Sequence, residues 1–338
     1  MLTNADNPML DAVRQTPTHF SLGWDAASPL MTKATDAKGV VICGMGGSAF
    51  PGDILRAGFG DIAPPIEVSR DYRAPRYHNR TLYIVSSFSG NTEETLSTLQ
   101  DLIHAQQNVY VVTSGGRLGA LASKHGLPLV ILDKPSPTFQ PRAASGMFVS
   151  AFAHILVKSG LLDGSTAFSR LMSCASAVSE AAAFEEAGSC FARRLVEKTP
   201  VFYATGVFVD AIAQVSKIKF NENSKIPSFF GAIPELNHNE MVGYTQRYEG
   251  FLPVIFRDPN GSPRMLKRVN ITAATLRKFG VSVHIIDLEG STDLEKAYRA
   301  LLVMDYASIA LASHFGIDPN PVAMVEDFKA ELGQFDDA

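Results

Sequence analysis

Two stretches of this 338-residue chain carry the residue types that hold an anion. The first, Gly39 to Asp53, reads GVVICGMGGSAFPGD: an apolar β-branched run stops at glycines and a serine, and Pro51 opens a helix-compatible segment. The second, Thr81 to Thr95, reads TLYIVSSFSGNTEET and makes the same move with hydroxyls. Each is a strand-to-helix turn whose backbone N–H groups and short side-chain donors stand beside a helix N-terminus, where negative charge is favoured. Gly46, Gly47 and Ser48 of the first turn, with Ser87, Ser89 and Thr92 of the second, are the candidate phosphate ligands. Taken alone, Gly44 to Ala49 also fits the GxGxxA dinucleotide pattern, and Asp71 lies about where a ribose-binding acid is expected. Against that stand four hydroxyls within the seven residues Ser86 to Thr92, which suit the three oxygens of a terminal phosphate and come without a P-loop lysine. Helix capping explains Thr92 or Asn91, but not Ser87 and Ser89 as well.

The elements that must position these turns follow from the pattern around them. From Gly39 to about Leu132, continuously apolar strands (VVIC, IEVSRDY, LYIVSS, VYVVTS, LPLVIL) alternate with helical segments near Asp53–Phe59 and Glu93–Gln106. Such strands predict a parallel sheet covered on both faces, with ligands at the carboxyl ends of the strands. After the proline-rich connector Pro135 to Gly146 comes a helical region, whose first helix, MFVSAFAHILVKSG, is apolar nearly all round and is expected to be buried between domains. A second alternation runs through VFYATG, a helix to about Phe220, FLPVIFRD, a helix from about Ser262 to Phe279, VSVHIIDLEG and a long helix ending near His314. It resembles a degenerate copy of the first, without the glycine and serine loops. The expected fold is α/β, two doubly wound, flavodoxin-like parallel-sheet domains in tandem. The expected divisions are an N-terminal helical arm over 1–38, a phosphate-binding domain over 39–146 and a second domain over 147–338. The arm carries an aromatic patch, His19, Phe20 and Trp24, read as core packing.

Bulk properties bound the function. The chain is 46% hydrophobic and 19% charged, with a formal net charge of -4, a pI near 6.1 and mean hydropathy near zero. No strongly basic stretch stands out, so nucleic acid is excluded as the main partner. Cys43, Cys174 and Cys190 are odd in number and scattered, which fits reduced thiols in a cytoplasmic protein. No cysteine or histidine cluster offers a zinc site, and no metal or other cofactor is expected. MLTNADNPML does not read as a signal peptide, and no apolar run is long enough to span a bilayer, so no membrane partner is expected.

The GGS turn followed by SxSGxT resembles the sugar isomerase (SIS) domain, which binds phosphosugars. The resemblance continues through KFNENSKIP (Lys219 to Pro227), ELNHNEMVGY (Glu235 to Tyr244) and GIDPNPVAMVEDFK (Gly316 to Lys329), which look like the bifunctional phosphoglucose/phosphomannose isomerases, built from two tandem SIS domains. It covers the chain from Gly39 onward, and NENSK with NHNE is its most specific part. It implies interconversion of glucose 6-phosphate, and of mannose 6-phosphate, with fructose 6-phosphate. That chemistry needs a phosphate anchor, a group that opens the ring, a base that moves a proton between C1 and C2, and a cation for the enediolate. Glu222, between two asparagines at a helix end, is the candidate base, a role that partial burial favours in a carboxylate. His238, between Asn237 and Asn239, can relay a proton at neutral pH; by resemblance it opens the ring and is supplied by the neighbouring subunit of a homodimer with shared active sites. Glu235 and Glu240 flank it as alternative acids or as groups that orient the imidazole. Arg142, just past the last strand of the first domain, is the candidate for the enediolate oxygens. Lys329 resembles the family's C-terminal active-site lysine, placed to assist at the ring oxygen. The chain departs from the family at Asp318-Pro319-Asn320-Pro321-Val322, where the motif often reads DPTPV; the change bears on epimer acceptance if that position shapes the space near C1 and C2. Two other functions predict different behaviour. A phosphosugar-sensing SIS protein would bind without turnover, and would normally bring a basic DNA-binding helix that residues 1 to 37 lack. An NAD(P)-dependent oxidoreductase would bind nicotinamide cofactor at GxGxxA.

Overall fold

A computed structural model describes residues 7–75, 80–246, 249–333 and 335. In chain order the elements are helices α1 (Pro8–Arg14) and α2 (Thr16–Ala27), then β1 (Gly39–Cys43), α3 (Phe50–Phe59), β2 (Ile66–Ser69), β3 (Thr81–Ser87), α4 (Glu93–His104), β4 (Asn108–Thr113), α5 (Gly116–Lys124) and β5 (Leu129–Ile131). Helices α6 (Ser145–Lys158), α7 (Gly164–Ala177) and α8 (Ala181–Ala192) follow. Then come β6 (Thr199–Thr205), α9 (Val215–Lys219), β7 (Phe229–Ile233), β8 (Phe251–Arg257), α10 (Pro263–Lys278), β9 (His284–Asp287), α11 (Asp293–His314) and α12 (Ala323–Leu332).

The chain forms two compact units, one comprising Arg14–Ser176 with Asn320–Ala338 and the other Met1–Val13 with Ala177–Pro319. We call these the first and second units. The divisions drawn from the sequence, at 38/39 and 146/147, fall at other positions.

In the first unit five strands form a parallel sheet in the order β2-β1-β3-β4-β5. The order reverses at β1, so the carboxyl ends of β1 and β3, where both anion-binding stretches lie, are the topological switch point. One face of the sheet is a core of Val41, Tyr83, Val85, Val109 and Val111 against Leu96, Leu99, Leu102, Leu118 and Ala122 of α4 and α5. Helix α6 is buried along its whole length from Ser145 to Leu156, and within this unit its partners are α2 and α3. The aromatic patch of the arm joins the same core: Phe20 and His19 are fully buried, and the Trp24 ring lies 4.1 Å from that of His154, whose Nδ1 meets Trp24 O at 2.8 Å.

The second unit holds a four-stranded parallel sheet in the order β7-β6-β8-β9. Tandem doubly wound α/β architecture is therefore present. Strand β7 is the element that the sequence pattern did not mark. FFGAI is a short apolar run broken by Gly231 and followed by Pro234, whose type periodicity alone does not settle; in the fold it is an edge strand with Phe229 and Phe230 exposed. Among the described residues no helix is long and apolar enough to cross a membrane.

Candidate active site

In the first unit the two turns predicted to hold phosphate are hydrogen-bonded into one structure. The Phe88 N–H donates to Ser48 Oγ at 2.9 Å, and the buried Ser86 hydroxyl donates to Ser48 O at 2.8 Å. Ser48 is thus a rivet between the turns, and Ser86 supports it from below. Ser87 and Thr92 pair through their hydroxyls at 2.9 Å. Thr92 is the residue preceding α4, yet it makes no side-chain cap to that helix, and α3 has none either. The N–H groups that open α4 therefore keep their capacity for an acceptor from outside, whereas at α3 Pro51 carries no N–H and the Gly52 N–H already donates to Ala49 O at 2.9 Å. Ser89, at the tip, is exposed.

Close backbone approach fixes the glycines. A Cβ on Gly47 would stand 2.9 Å from the backbone N of Arg142, so the GGS turn lies directly on the one-turn helix Pro141–Ala143. This brings Arg142 to the first turn. Its side chain is buried, with Nη2 donating to Asn320 O at 3.0 Å and Nη1 to Gln140 Oε1 at 3.3 Å. Gly90, with φ +70°, would place a Cβ 1.9 Å from Gly115 O.

That second contact belongs to a third turn, Thr113 to Arg117, which sequence reasoning did not include among the ligand loops. The Ser114 hydroxyl donates to Phe88 O at 2.6 Å, Arg117 N–H to Asn91 Oδ1 at 3.1 Å and Leu118 N–H to Gly90 O at 2.8 Å. The signal was present as Ser114-Gly115-Gly116 at the end of β4, the same strand-to-small-residue transition as at β1 and β3. Just below the first turn, burial pushes the Cys43 thiol up to about 12, with Glu67 adding to the shift, so it stays a neutral packing group.

Lys329 lies in the same unit on α12, a helix with no buried residue. Its ammonium is exposed and pairs with Glu326 Oε1 at 2.8 Å, one helical turn away. No described hydrogen bond or ion pair links it to the three turns.

In the second unit Glu222 occupies a wide π-type turn, Phe220–Ser224, at the end of α9. Such turns reposition side chains relative to a regular helix. The neighbours of Glu222 are committed to backbone anchors. Asn221 Nδ2 donates to Ile226 O at 2.9 Å, Asn223 Nδ2 to Ser308 Oγ at 2.9 Å and Ser224 Oγ to Ser308 O at 2.7 Å. Lys225, with φ +57°, turns the chain and donates to Glu222 O and, at 3.3 Å, to Pro319 O. The turn is thereby tied to α11, and the half-buried Glu222 is carried on a fixed backbone.

His238 ends the short helix Glu235–His238; it is exposed and makes no hydrogen bond among the described residues. The two acids considered as its orienting partners are engaged elsewhere. Glu235 Oε1 accepts from Asn239 Nδ2 at 2.6 Å, and Glu240 Oε1 accepts from the buried Tyr203 hydroxyl. Tyr203 also meets Tyr244 OH at 2.9 Å. Burial pushes the Tyr203 phenol strongly up, reinforced by Tyr244 and Glu240, and burial pushes Tyr244 up to about 12, so this network holds neutral phenols against one carboxylate. It anchors the segment that follows His238.

Residues 184–332 match the family model described as the bacterial phospho-glucose isomerase C-terminal SIS domain. A bifunctional phosphoglucose/phosphomannose isomerase of Caldicellulosiruptor bescii is 32% identical over 97% of this chain and 100% of its own length. The chain belongs to this isomerase family. The protein of the same name from Aquifex aeolicus is also 32% identical, over 88% of this chain and 91% of its own. The fold has a solved counterpart in the C-terminal domain of glucosamine-fructose-6-phosphate aminotransferase from Francisella tularensis, at a TM-score of 0.76 and 15% identity, covering 94% of this chain and 99% of that one. As a member of the isomerase family the chain is an enzyme, and the SIS-type sheets in both units are the architecture of that family.

Proposed function

We propose that this family member interconverts glucose 6-phosphate, and mannose 6-phosphate, with fructose 6-phosphate through an enediol(ate), in the cytoplasm and without a cofactor. The observation that carries the reading is the riveted pair of turns at β1 and β3. It sets the uncapped N-terminus of α4 beside the Ser48, Ser87, Ser89 and Thr92 hydroxyls, donors of the kind that hold a terminal phosphate, and family membership supplies the reaction class. Gly46, Gly47, Ser48, Ser87, Ser89 and Thr92 hold the phosphate, Ser48 chiefly by fixing the two turns against each other. His238 moves a proton between the ring oxygen and the O1 hydroxyl to open the sugar, with Lys329 assisting at the ring oxygen. Glu222 then removes the proton at C2 of the aldose, the hydroxyl proton passes from O2 to O1 in the enediolate, and Glu222 returns its proton to C1; the reverse sequence starts from the ketose. Arg142, a buried guanidinium held by Asn320 O and Gln140, stabilises negative charge on O1 and O2 while the proton is on Glu222. The exposure of His238 supports its being offered to a second copy of the chain, so that a homodimer shares its active sites. Three free cysteines support a reducing compartment.

The test is a coupled assay with fructose 6-phosphate on wild type and Glu222→Gln. Turnover by wild type and its loss in the variant, with phosphosugar binding retained, are expected. An inactive wild type, or a variant with near wild-type turnover, would overturn the proposal.

A further inference from the structure

The face of α10 that borders the His238 segment is the most basic part of an acidic chain. From Pro259 to Ile286 the sequence contains Arg264, Lys267, Arg268, Arg277 and Lys278 and no Asp or Glu, although the whole chain has a net charge of -4. In sequence these cations are dispersed, but helical spacing collects three of them: Arg264, Lys267 and Arg268 stand at i, i+3 and i+4 on one face. They line a cavity of about 230 Å³ together with Asn237, Thr272 and Thr275, and no carboxylate lines it. Among the described residues neither Arg264 nor Lys267 has an ion-pair partner. Arg268 Nη1 donates to Asn237 Oδ1 at 3.2 Å, and Asn237 Nδ2 donates in turn to Thr272 Oγ1 at 2.8 Å.

We propose that this cavity is a second anion site, for a phosphate or pyrophosphate group, and that its occupancy is transmitted to His238. Guanidinium forks and an ammonium without carboxylates present donors and positive charge together, the combination that recognises phosphate oxygens. The volume is below the roughly 300 Å³ at which ordinary metabolite pockets begin, so the ligand is a small oxyanion or the phosphate end of a phosphomonoester. Transmission follows from Arg268, whose present acceptor is a neutral amide oxygen. Hydrogen bonds to an ionised acceptor are about twice as strong, so a bound phosphate draws the guanidinium away from Asn237. Asn237 immediately precedes His238, and losing one of its anchors loosens the short helix that ends there. The binding half of this inference is independent of any catalytic role; the consequence for turnover rests on the role proposed for His238.

The experiment is calorimetric titration of the full chain with inorganic pyrophosphate and, in a separate arm, with glycerol 3-phosphate. The proteins are wild type, Ser89→Ala/Thr92→Ala, and that double variant carrying Arg264→Gln/Lys267→Gln in addition. Binding that survives in the first variant and weakens about tenfold or more in the second is expected. A response to pyrophosphate alone would assign the site to the inorganic anion, and a response to both would assign it to phosphate groups in general. Binding in the Ser89→Ala/Thr92→Ala protein that is absent, or that is unchanged by Arg264→Gln/Lys267→Gln, overturns the site; thermal melts of each variant show whether the fold is kept. Coupling is read without any turnover, from the His238 ring proton resonances of the Ser89→Ala/Thr92→Ala protein. They shift on saturation with pyrophosphate if Arg268 leaves Asn237, and unmoved resonances at saturation overturn the transmission. Loss of isomerase activity in wild type would defeat the proposed function and leave these readings intact.

Discussion

The carboxyl of Glu222 is carried on a turn whose polar side chains are engaged elsewhere: Asn221, Ser224 and Lys225 hold backbone carbonyls and Asn223 holds the Ser308 hydroxyl. Replacing it with the isosteric amide removes the proposed base and little of the geometry. Glu222→Gln should lower kcat by about 10²- to 10⁴-fold and leave KM for fructose 6-phosphate within a few-fold of wild type; a proportionate rise in KM with kcat intact would instead mark Glu222 as a binding residue. Asn223→Ala should instead weaken the fold, since it removes the buried hydrogen bond to Ser308 Oγ, which keeps only its bond to Asp305 O, at a cost of about 0.5–1.5 kcal/mol. A urea melt separates the two effects, because only the second variant moves the midpoint. The same distinction applies to Ser48, whose hydroxyl accepts from the Phe88 N–H. Ser48→Ala should cost about 1–3 kcal/mol of stability along with phosphate affinity, whereas Ser89→Ala, at an exposed tip, should affect affinity alone.

At the scale of elements, the strand ends do the positioning, and they were the most readable part of the sequence. Continuously apolar strands separated by helices announced a parallel sheet, and the stops at Gly44 and Ser86 marked the two turns that the fold hydrogen-bonds together. What could not be read was how many turns meet there. Gly90 and Gly115 are 25 residues apart, and their contact depends on β3 and β4 being neighbours in register, which periodicity does not encode. The edge strand β7 escaped for a related reason, because FFGAI is a short apolar run without alternation and its pairing with β6 depends on the tertiary register. The partner of Glu240 was equally hidden, since Tyr203 is brought to it only by the tertiary fold, whereas Glu235 turns to Asn239, four residues on in the same segment. The packing of the second and third turns gives a prediction at this scale. Gly90→Ala imposes both a left-handed φ and a clash with Gly115 O, so a loss of about 1–3 kcal/mol or more is expected, with weakened phosphosugar binding as the turns separate. Equilibrium denaturation beside a binding titration measures both.

At the scale of the molecule, His154 and His284 set an acid limit. Burial depresses the His154 imidazole below 6.5 despite its bond to Trp24 O, and burial with Arg194 and Arg277 nearby does the same to His284. The folded state favours the neutral rings, so below about pH 6.5 the unfolded chain binds the additional protons. Their contribution is complete above that pH and is lost as the pH falls through the depressed folded values. Melting temperature should therefore drop on acidification from pH 6.5 to 5, and His154→Gln should flatten that slope; an unchanged slope would remove His154 as the cause. Sharing of sites between subunits is tested by mixing. A Glu222→Gln chain and a His238→Asn chain are each inactive alone, but if each site draws its histidine from the partner, one site of every mixed dimer is intact. Random assembly then restores about one quarter of wild-type activity, and no recovery is expected from sites contained within one chain.

The bond from Arg142 to Asn320 O also has a meaning in time. The first unit is discontinuous in sequence, with residues 177–319 lying between its two segments. Asn320 leaves the ribosome 178 residues after Arg142. At roughly 5–20 residues per second, the guanidinium waits about 10–40 s for its acceptor, and by then nearly all of the second unit has been made. During translation, therefore, the sheet and turns of the first unit can form early, but the cation proposed for the enediolate is fixed in place only after residues 177–319 have been made.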